Sequence, residues 1–78
     1  MDMTQTRVAV ISIIVDAKTN TDTLNALLSD AGEYIIGRMG IPYREKGINI
    51  ISIALDAPQD TLSALAGKIG NLSGISVK

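Results

Sequence analysis

The stretch from Glu33 to Gly47 holds most of the side chains that could do chemistry. It contains both tyrosines and three of the seven basic residues of the chain, Arg38, Arg44 and Lys46. Arginine binds carboxylates and phosphates through paired hydrogen bonds, so Arg38, Tyr43 and Arg44 are candidates for binding an anion, a carboxylate ligand or an acidic partner. The alternative is a solvated hairpin, on which charged side chains oppose aggregation of an edge strand.

Arg38 differs from the other basic residues of this stretch because it lies inside an apolar segment, between Gly37 and Gly40. A guanidinium group in such a segment needs a dedicated partner. That partner is either a bound ligand or a structural one, for which Glu33, Glu45 and a neighbouring subunit are the candidates.

Two aspartates, Asp16 and Asp56, each end an apolar segment that reads as a strand. If these two strands lie side by side and parallel, the carboxylates sit at matching ends. Paired carboxylates can transfer protons or hold a hard cation. Aspartate is also a common turn residue, and the sequence offers no third ligand, so a purely structural role is the alternative.

The composition excludes several classes of function. The chain of 78 residues has no His and no Cys, which removes histidine bases, imidazole and thiolate metal sites, and disulfides. A net charge of −1 and the lack of Phe and Trp argue against direct nucleic-acid binding. Residues 1–6 do not resemble a signal peptide, and no apolar run approaches the ~20 residues of a membrane helix. We therefore expect a cytoplasmic protein without catalysis, metal or cofactor.

The hydrophobic patterns predict four strands and two helices. Residues 1–6 read as a flexible tail, and residues 7–78 form a single domain. Strands are predicted at 7–16, 33–41, 48–56 and 74–78. Leu24, Leu27 and Leu28 define one face of a first helix that Gly32 can end, and Pro58 suits the first position of a second helix.

The second predicted strand, 33–41, carries the two glycines beside Arg38, and these suggest a bulge. Pro42 places this strand at an edge, and Gly47 can supply a positive φ after the hairpin.

An internal repeat indicates how these elements are arranged. The tripeptide Ile-Ser-Ile occurs at 11–13 and at 51–53, and Asp-Thr-Leu occurs at 22–24 and at 60–62. Two similar βαβ halves are the pattern of the ferredoxin-like βαββαβ fold, an α+β class. We predict an antiparallel sheet of order 4-1-3-2 with both helices on one face, and from the crossover rule we place strands one and three side by side and parallel.

The central strands are apolar on both faces, although helices can cover only one. We expect a second subunit to cover the other face, because soluble monomers rarely expose large apolar patches. The alternative is a monomer with an exposed apolar sheet. In the oligomer, Ser12 and Ser52 are predicted mid-sheet neighbours, and Met39 and Ile41 are further candidate interface residues.

The longest recognisable motif is Tyr34–Glu45, with the sequence YIIGRMGIPYRE. With Gly47–Ile48, Ile50–Ile53, Asp56–Pro58 and Gly74–Lys78, it resembles the iron-only hydrogenase system regulators. These are small proteins that are often encoded near the maturation proteins of [FeFe] hydrogenase. The resemblance covers essentially the whole predicted domain.

The resemblance implies an ACT-like fold, similar to the C-terminal domain of nickel-responsive regulators. In ACT-like domains the loop after the first strand lies at a subunit interface and contributes to an effector site, which adds Asp16, Lys18 and Asn20 to the candidate ligand-binding residues. The glycine typical of that loop is missing, so the resemblance does not extend to amino-acid binding. Nickel sensing does not transfer either, because those regulators bind metal through His and Cys. We also expect no DNA-binding segment in this chain.

Together these observations predict an ACT-like dimer or tetramer that regulates the hydrogenase system by binding a small effector or a protein partner. One alternative is an assembly scaffold without a small ligand. Another is an enzyme built on a ferredoxin-like oligomer, whose activity would rest on Arg38, Tyr43 and the aspartates.

Overall fold

The computed structural model describes residues 5–77, so part of the predicted tail and Lys78 lie outside it. Four strands and two helices follow one another in the predicted βαββαβ order. Their bounds are β1 Thr6–Asp16, α1 Asp22–Asp30, β2 Ile35–Tyr43, β3 Ile48–Pro58, α2 Gln59–Gly70 and β4 Ile75–Val77. No helix within these residues is long and apolar enough to cross a membrane.

The four strands form one sheet in the order β2-β3-β1-β4, which is the predicted order counted from the other edge. β1 and β3 pair along eleven residues each, from Thr6 opposite Pro58 to Asp16 opposite Ile48. β4 adds a short pairing at the far side of β1.

The prediction that β1 and β3 run parallel was wrong, because every neighbouring pair in the sheet is antiparallel. The crossover rule concerns the two strands that a helix connects, here β1 and β2. β3 returns from β2 through a hairpin and inserts between them, so it runs against both.

Alternate residues of the central strands form the core with both helices. Ile13 and Val15 of β1 and Ile53 and Leu55 of β3 are buried, and they join Leu24 of α1 in one hydrophobic cluster. The remaining members come from the same side of the sheet and from the two helices, so both helices cover one face, as predicted.

The turns follow the local sequence with two differences from prediction. Gly47 has φ 62° and closes the hairpin as expected, and a register shift between Ile35 and Gly37 is the predicted irregularity in β2. Gly32 does not adopt a positive φ, because α1 ends at its cap Ala31 and passes into a short 3-10 turn. Pro58 ends β3 and caps α2 rather than occupying its first turn.

Candidate functional site

The sheet face opposite the helices carries the main unpartnered surface of the described residues. Cross-strand partners share a face, so the register defines this surface, which we call the open face. Its apolar and small residues are Val8, Val10, Ser12 and Ile14 of β1, Gly37, Met39, Ile41 and Tyr43 of β2, and Ile48, Ile50, Ser52 and Ala54 of β3.

Several large side chains of the open face are exposed to a degree that is unusual for a soluble domain. Val8 is 73% exposed, Val10 is 62% exposed and Met39 is 57% exposed. Ile41 and Tyr43 are also exposed. By contrast, no large apolar side chain on the helix-covered side of β1 and β3 is exposed. The open face therefore carries the apolar side chains typical of a protein core, but nothing in the described part of the protomer buries them.

A hollow of about 270 Å³ lies in the middle of the open face. Small residues line it, because Gly37 of β2 pairs with Ala54 of β3, and Ser52 lies in the next row. Val10 and Met39 line it as well, and so does Arg38 at the β2 edge. The surface thus combines a depression with prominent side chains beside it.

The predicted interface residues all belong to this face. Ser12 and Ser52 are direct cross-strand partners, as expected for mid-sheet neighbours, and Met39 continues their row onto β2. Ile41 lies in the adjacent row opposite Ile50. Whether these residues contact a second subunit stays a prediction.

Four of the six predicted ligand-binding residues come together at the hairpin end of the sheet. Asp16 and Tyr43 flank Ile48 in one row of the open face. The Ala17 amide donates a 2.9 Å hydrogen bond to the Gly47 carbonyl, which ties the β1–α1 loop to the hairpin. This contact brings Lys18 and Arg44 to the same end of the molecule.

The side chains at this end already make local hydrogen bonds. The Tyr43 hydroxyl donates to Oε2 of Glu45 at 3.2 Å, and the Lys18 amide donates to Oδ1 of Asp16 at 2.9 Å. The Asn20 side chain accepts from the Asp22 amide at 2.8 Å, which makes it a turn residue at the start of α1. Arg44 and Lys46 are exposed on the 3-10 turn after β2.

Arg38 lies apart from this group. It pairs with Ile53 in the sheet, on the helix-covered side of the β2 edge, where it is exposed. At this edge it also borders the hollow of the open face. Five residues of extended chain separate it from Tyr43, which is about 17 Å. Its guanidinium group makes no hydrogen bond to another residue between 5 and 77, neither Glu33 nor Glu45.

The pairing of Asp16 with Asp56 does not occur. Asp16 lies opposite Ile48, whereas Asp56 lies opposite Val8 at the other end of the antiparallel pair. Eight residues of strand, or about 27 Å, separate the two carboxylates along the sheet. Within the described part of the chain, no three His, Cys, Asp or Glu side chains cluster as a metal site would require.

A second groove, of about 350 Å³, runs between the helices on the other side of the protein. Leu27, Tyr34 and Leu65 contribute apolar surface to it, while Asp30 and Lys68 line it with opposite charges. Its large apolar side chains are buried or half-buried. It is therefore a weaker candidate for binding than the open face.

The sequence reasoning missed several residues of the open face, namely Val8, Val10, Gly37 and Ala54. Their signal was available, because Val8 and Val10 continue the alternation that ends at Ser12 and Ile14. The two small residues could not be recognised as a hollow, since that depends on the register between β2 and β3.

Comparisons with known proteins agree with this description. Residues 7–78 match the TM1266-like family, described as "Iron-only hydrogenase system regulator, putative". Among solved structures, the chain is similar to uncharacterized protein TM1266 from Thermotoga maritima, with 36% sequence identity and a TM-score of 0.88. The match covers 95% of this chain and 94% of that one. No curated protein matches the chain.

The family description names a regulator rather than an enzyme. The match extends over both βαβ halves and over the whole Tyr34–Glu45 motif. The chain therefore belongs to the TM1266-like family of iron-only hydrogenase system regulators.

Proposed function

We propose that this protein is a non-catalytic regulatory module of the iron-only hydrogenase system. It acts as a homo-oligomer and binds a small effector or a protein partner at the hairpin end of its sheet. The observation that carries this proposal is the membership of the chain in a family described as a regulator. The exposed apolar side chains of the open face support the homo-oligomer.

The hairpin end supports the location of the binding site. It combines three cationic side chains, Lys18, Arg44 and Lys46, with two carboxylates, Asp16 and Glu45, so cations are in excess by one. The Tyr43 hydroxyl, which donates to Glu45, lies at the same end, and the Ala17–Gly47 hydrogen bond holds the two segments together. Such a group suits a carboxylate or phosphate group, or an acidic segment of a partner protein. The same end borders the open face, so an oligomer formed there would place ligand and interface side by side.

The experiment compares two matched variants, Arg44→Ala and Arg38→Ala. Both remove an exposed arginine, but Arg44 belongs to the hairpin end and Arg38 to the opposite side of β2. The readouts are native mass spectrometry, for retained small molecules, and affinity purification from the cells that make the protein, probed for hydrogenase and its maturation proteins.

The proposal expects the wild type to retain a ligand or to capture a hydrogenase-system protein, and expects Arg44→Ala to lose it while Arg38→Ala keeps it. Capture of a protein partner without any retained mass identifies the scaffold form of this function. If Arg38→Ala is the variant that loses binding, the site lies on the β2 edge and not at the hairpin end. The proposal is overturned if both variants keep the retained small molecule or the captured partner protein. It is also overturned if the wild type binds neither.

A further inference from the structure

We propose that the open face binds the open face of a second copy of this chain around a twofold axis, with Met39 of each copy filling the other's hollow. This inference rests on the proposed function, because it names the partner and the surface that make the protein an oligomer. The argument depends on the shape, the charge and the size of the open face.

The shape of the open face is self-complementary. The hollow over Gly37, Ser52 and Ala54 lies directly beside Met39 and Val10, which are among the most exposed large side chains of the described residues. A twofold contact requires that one surface carry both the projection and the depression that receives it. An unbranched Met is well suited to fill an irregular gap of this kind.

The charge of the face favours an apolar partner. From the row of Val10 to the row of Ile14, β1 and β3 present no charged side chain to this surface. Its only carboxylates lie at the two ends, Asp56 opposite Val8 and Asp16 opposite Ile48. Arg38, at the β2 edge, is the one charged residue among the described residues that line the hollow. The rest of the centre is apolar or carries hydroxyl groups, so a second open face suits it better than a strongly charged docking segment does.

The size of the face approaches what a dimer needs only if the whole face is used and its side-chain relief adds to the flat projection. Eleven residues of strand extend about 34 Å, and three long strands are about 14 Å wide, which gives a flat projection of about 480 Å². Side-chain relief raises the accessible area above this projection. Stable interfaces bury about 800 Å² per partner, so contact must extend from Val8 to Tyr43 rather than over one corner.

Two glycines of β2 provide a matched test. A Cβ atom built at Gly37 or at Gly40 meets no heavy atom within 4 Å, and neither residue has a positive φ, so the protomer tolerates a side chain at both positions. Gly37 lies in the hollow, whereas Gly40 pairs with Ile51 on the other side of the sheet. Gly37→Leu should block the hollow, and Gly40→Leu should leave it open.

The measurement is the mass in solution of wild type, Gly37→Leu, Gly40→Leu and Met39→Glu, by size exclusion with light scattering at micromolar concentration. Circular dichroism of each variant reports whether the protomer is folded. We expect the wild type and Gly40→Leu to have at least twice the 8.2 kDa mass of the chain. Gly37→Leu and Met39→Glu should be folded monomers, with a dissociation constant raised by at least about 30-fold.

Each other outcome counts against the proposal. An oligomer that both Gly37→Leu and Met39→Glu leave intact places the interface elsewhere and overturns this inference, while the regulatory proposal stands. If the wild type is a monomer, the proposal that a second copy binds the open face is overturned. Retention of a ligand or of a partner protein by that monomer would leave the regulatory part of the proposed function standing without its homo-oligomer, whereas no retention would end both proposals.

Discussion

The two faces of the central strands are built from the same kinds of residue but differ in how far their side chains are exposed to solvent. On the helix side, Ile13 and Ile53 are 0% exposed. On the open face, Val8 and Val10 of the same β1 strand lie largely in water. Alternation along a strand sends neighbours to opposite faces, so this difference cannot come from the strand itself. It comes from the helices, which cover only one side.

This comparison teaches that a strand can be apolar on both faces although the helices of its own chain bury only one of them. A solvated sheet face normally alternates to polar residues, but β1 and β3 carry Val, Ile and Ala where polar residues would suffice. The small size of the domain adds to the need for a partner, because a chain of 78 residues buries a limited share of its surface.

The largest expected effect is a difference in the free energy of unfolding between a variant on the helix side and a variant on the open face. Ile53→Ala removes a fully buried side chain and should lower the free energy of unfolding by about 3 kcal/mol. Val10→Ala removes an exposed one and should change it by less than about 0.5 kcal/mol. Urea unfolding measures both free energies in the Met39→Glu background, in which we expect the protein to be monomeric. Equal losses for the two variants would show that the open face is already buried within the protomer.

An intermediate test asks whether apolar contact or ion pairing holds the oligomer. Raising NaCl from 0.05 to 1 M shortens the screening length to about 3 Å and weakens exposed ion pairs, but it spares apolar contacts. We expect the dissociation constant, measured by sedimentation equilibrium, to change by less than about threefold. A tenfold weakening would instead assign the association to the basic hairpin end.

The smallest expected effect concerns the serine row at the centre of the open face. Ser12→Val replaces a hydroxyl by methyl groups and should tighten association by up to about tenfold, given roughly 0.8 kcal/mol for each buried carbon. Ser29→Val, at an exposed position of α1, is the matched control and should leave association unchanged. Unchanged or weaker association of Ser12→Val would contradict an apolar contact at this row.

Much of the fold was accessible from the sequence because its signals are local and repeated. The two copies of Ile-Ser-Ile and Asp-Thr-Leu predicted the two βαβ halves, and the strand order followed from them. The direction of β3 was mistaken because it depends on the hairpin that connects β2 to β3 and not on a helix crossover. Pro58 was misplaced by one position, since proline fits a strand end as well as a first helical turn.

The candidate site was less accessible because it depends on contacts between distant segments. Nothing in the sequence indicates that the loop after β1 hydrogen-bonds to Gly47, or that Arg38 and Tyr43 lie on different sides of β2. The bulge before Gly37 decides which β2 residues reach the open face, and glycines alone could suggest it but not fix its position.

The most direct test of the central claim uses a single engineered thiol, because the chain has no Cys of its own. Met39→Cys places a thiol beside the hollow, and Ala26→Cys places one on the exposed side of α1. Packed sheets lie about 10 Å apart, so a short bis-maleimide can bridge two thiols near a twofold axis. The account predicts rapid covalent dimers of Met39→Cys and little product from Ala26→Cys. An oligomeric Met39→Cys protein that does not cross-link would contradict the face-to-face arrangement.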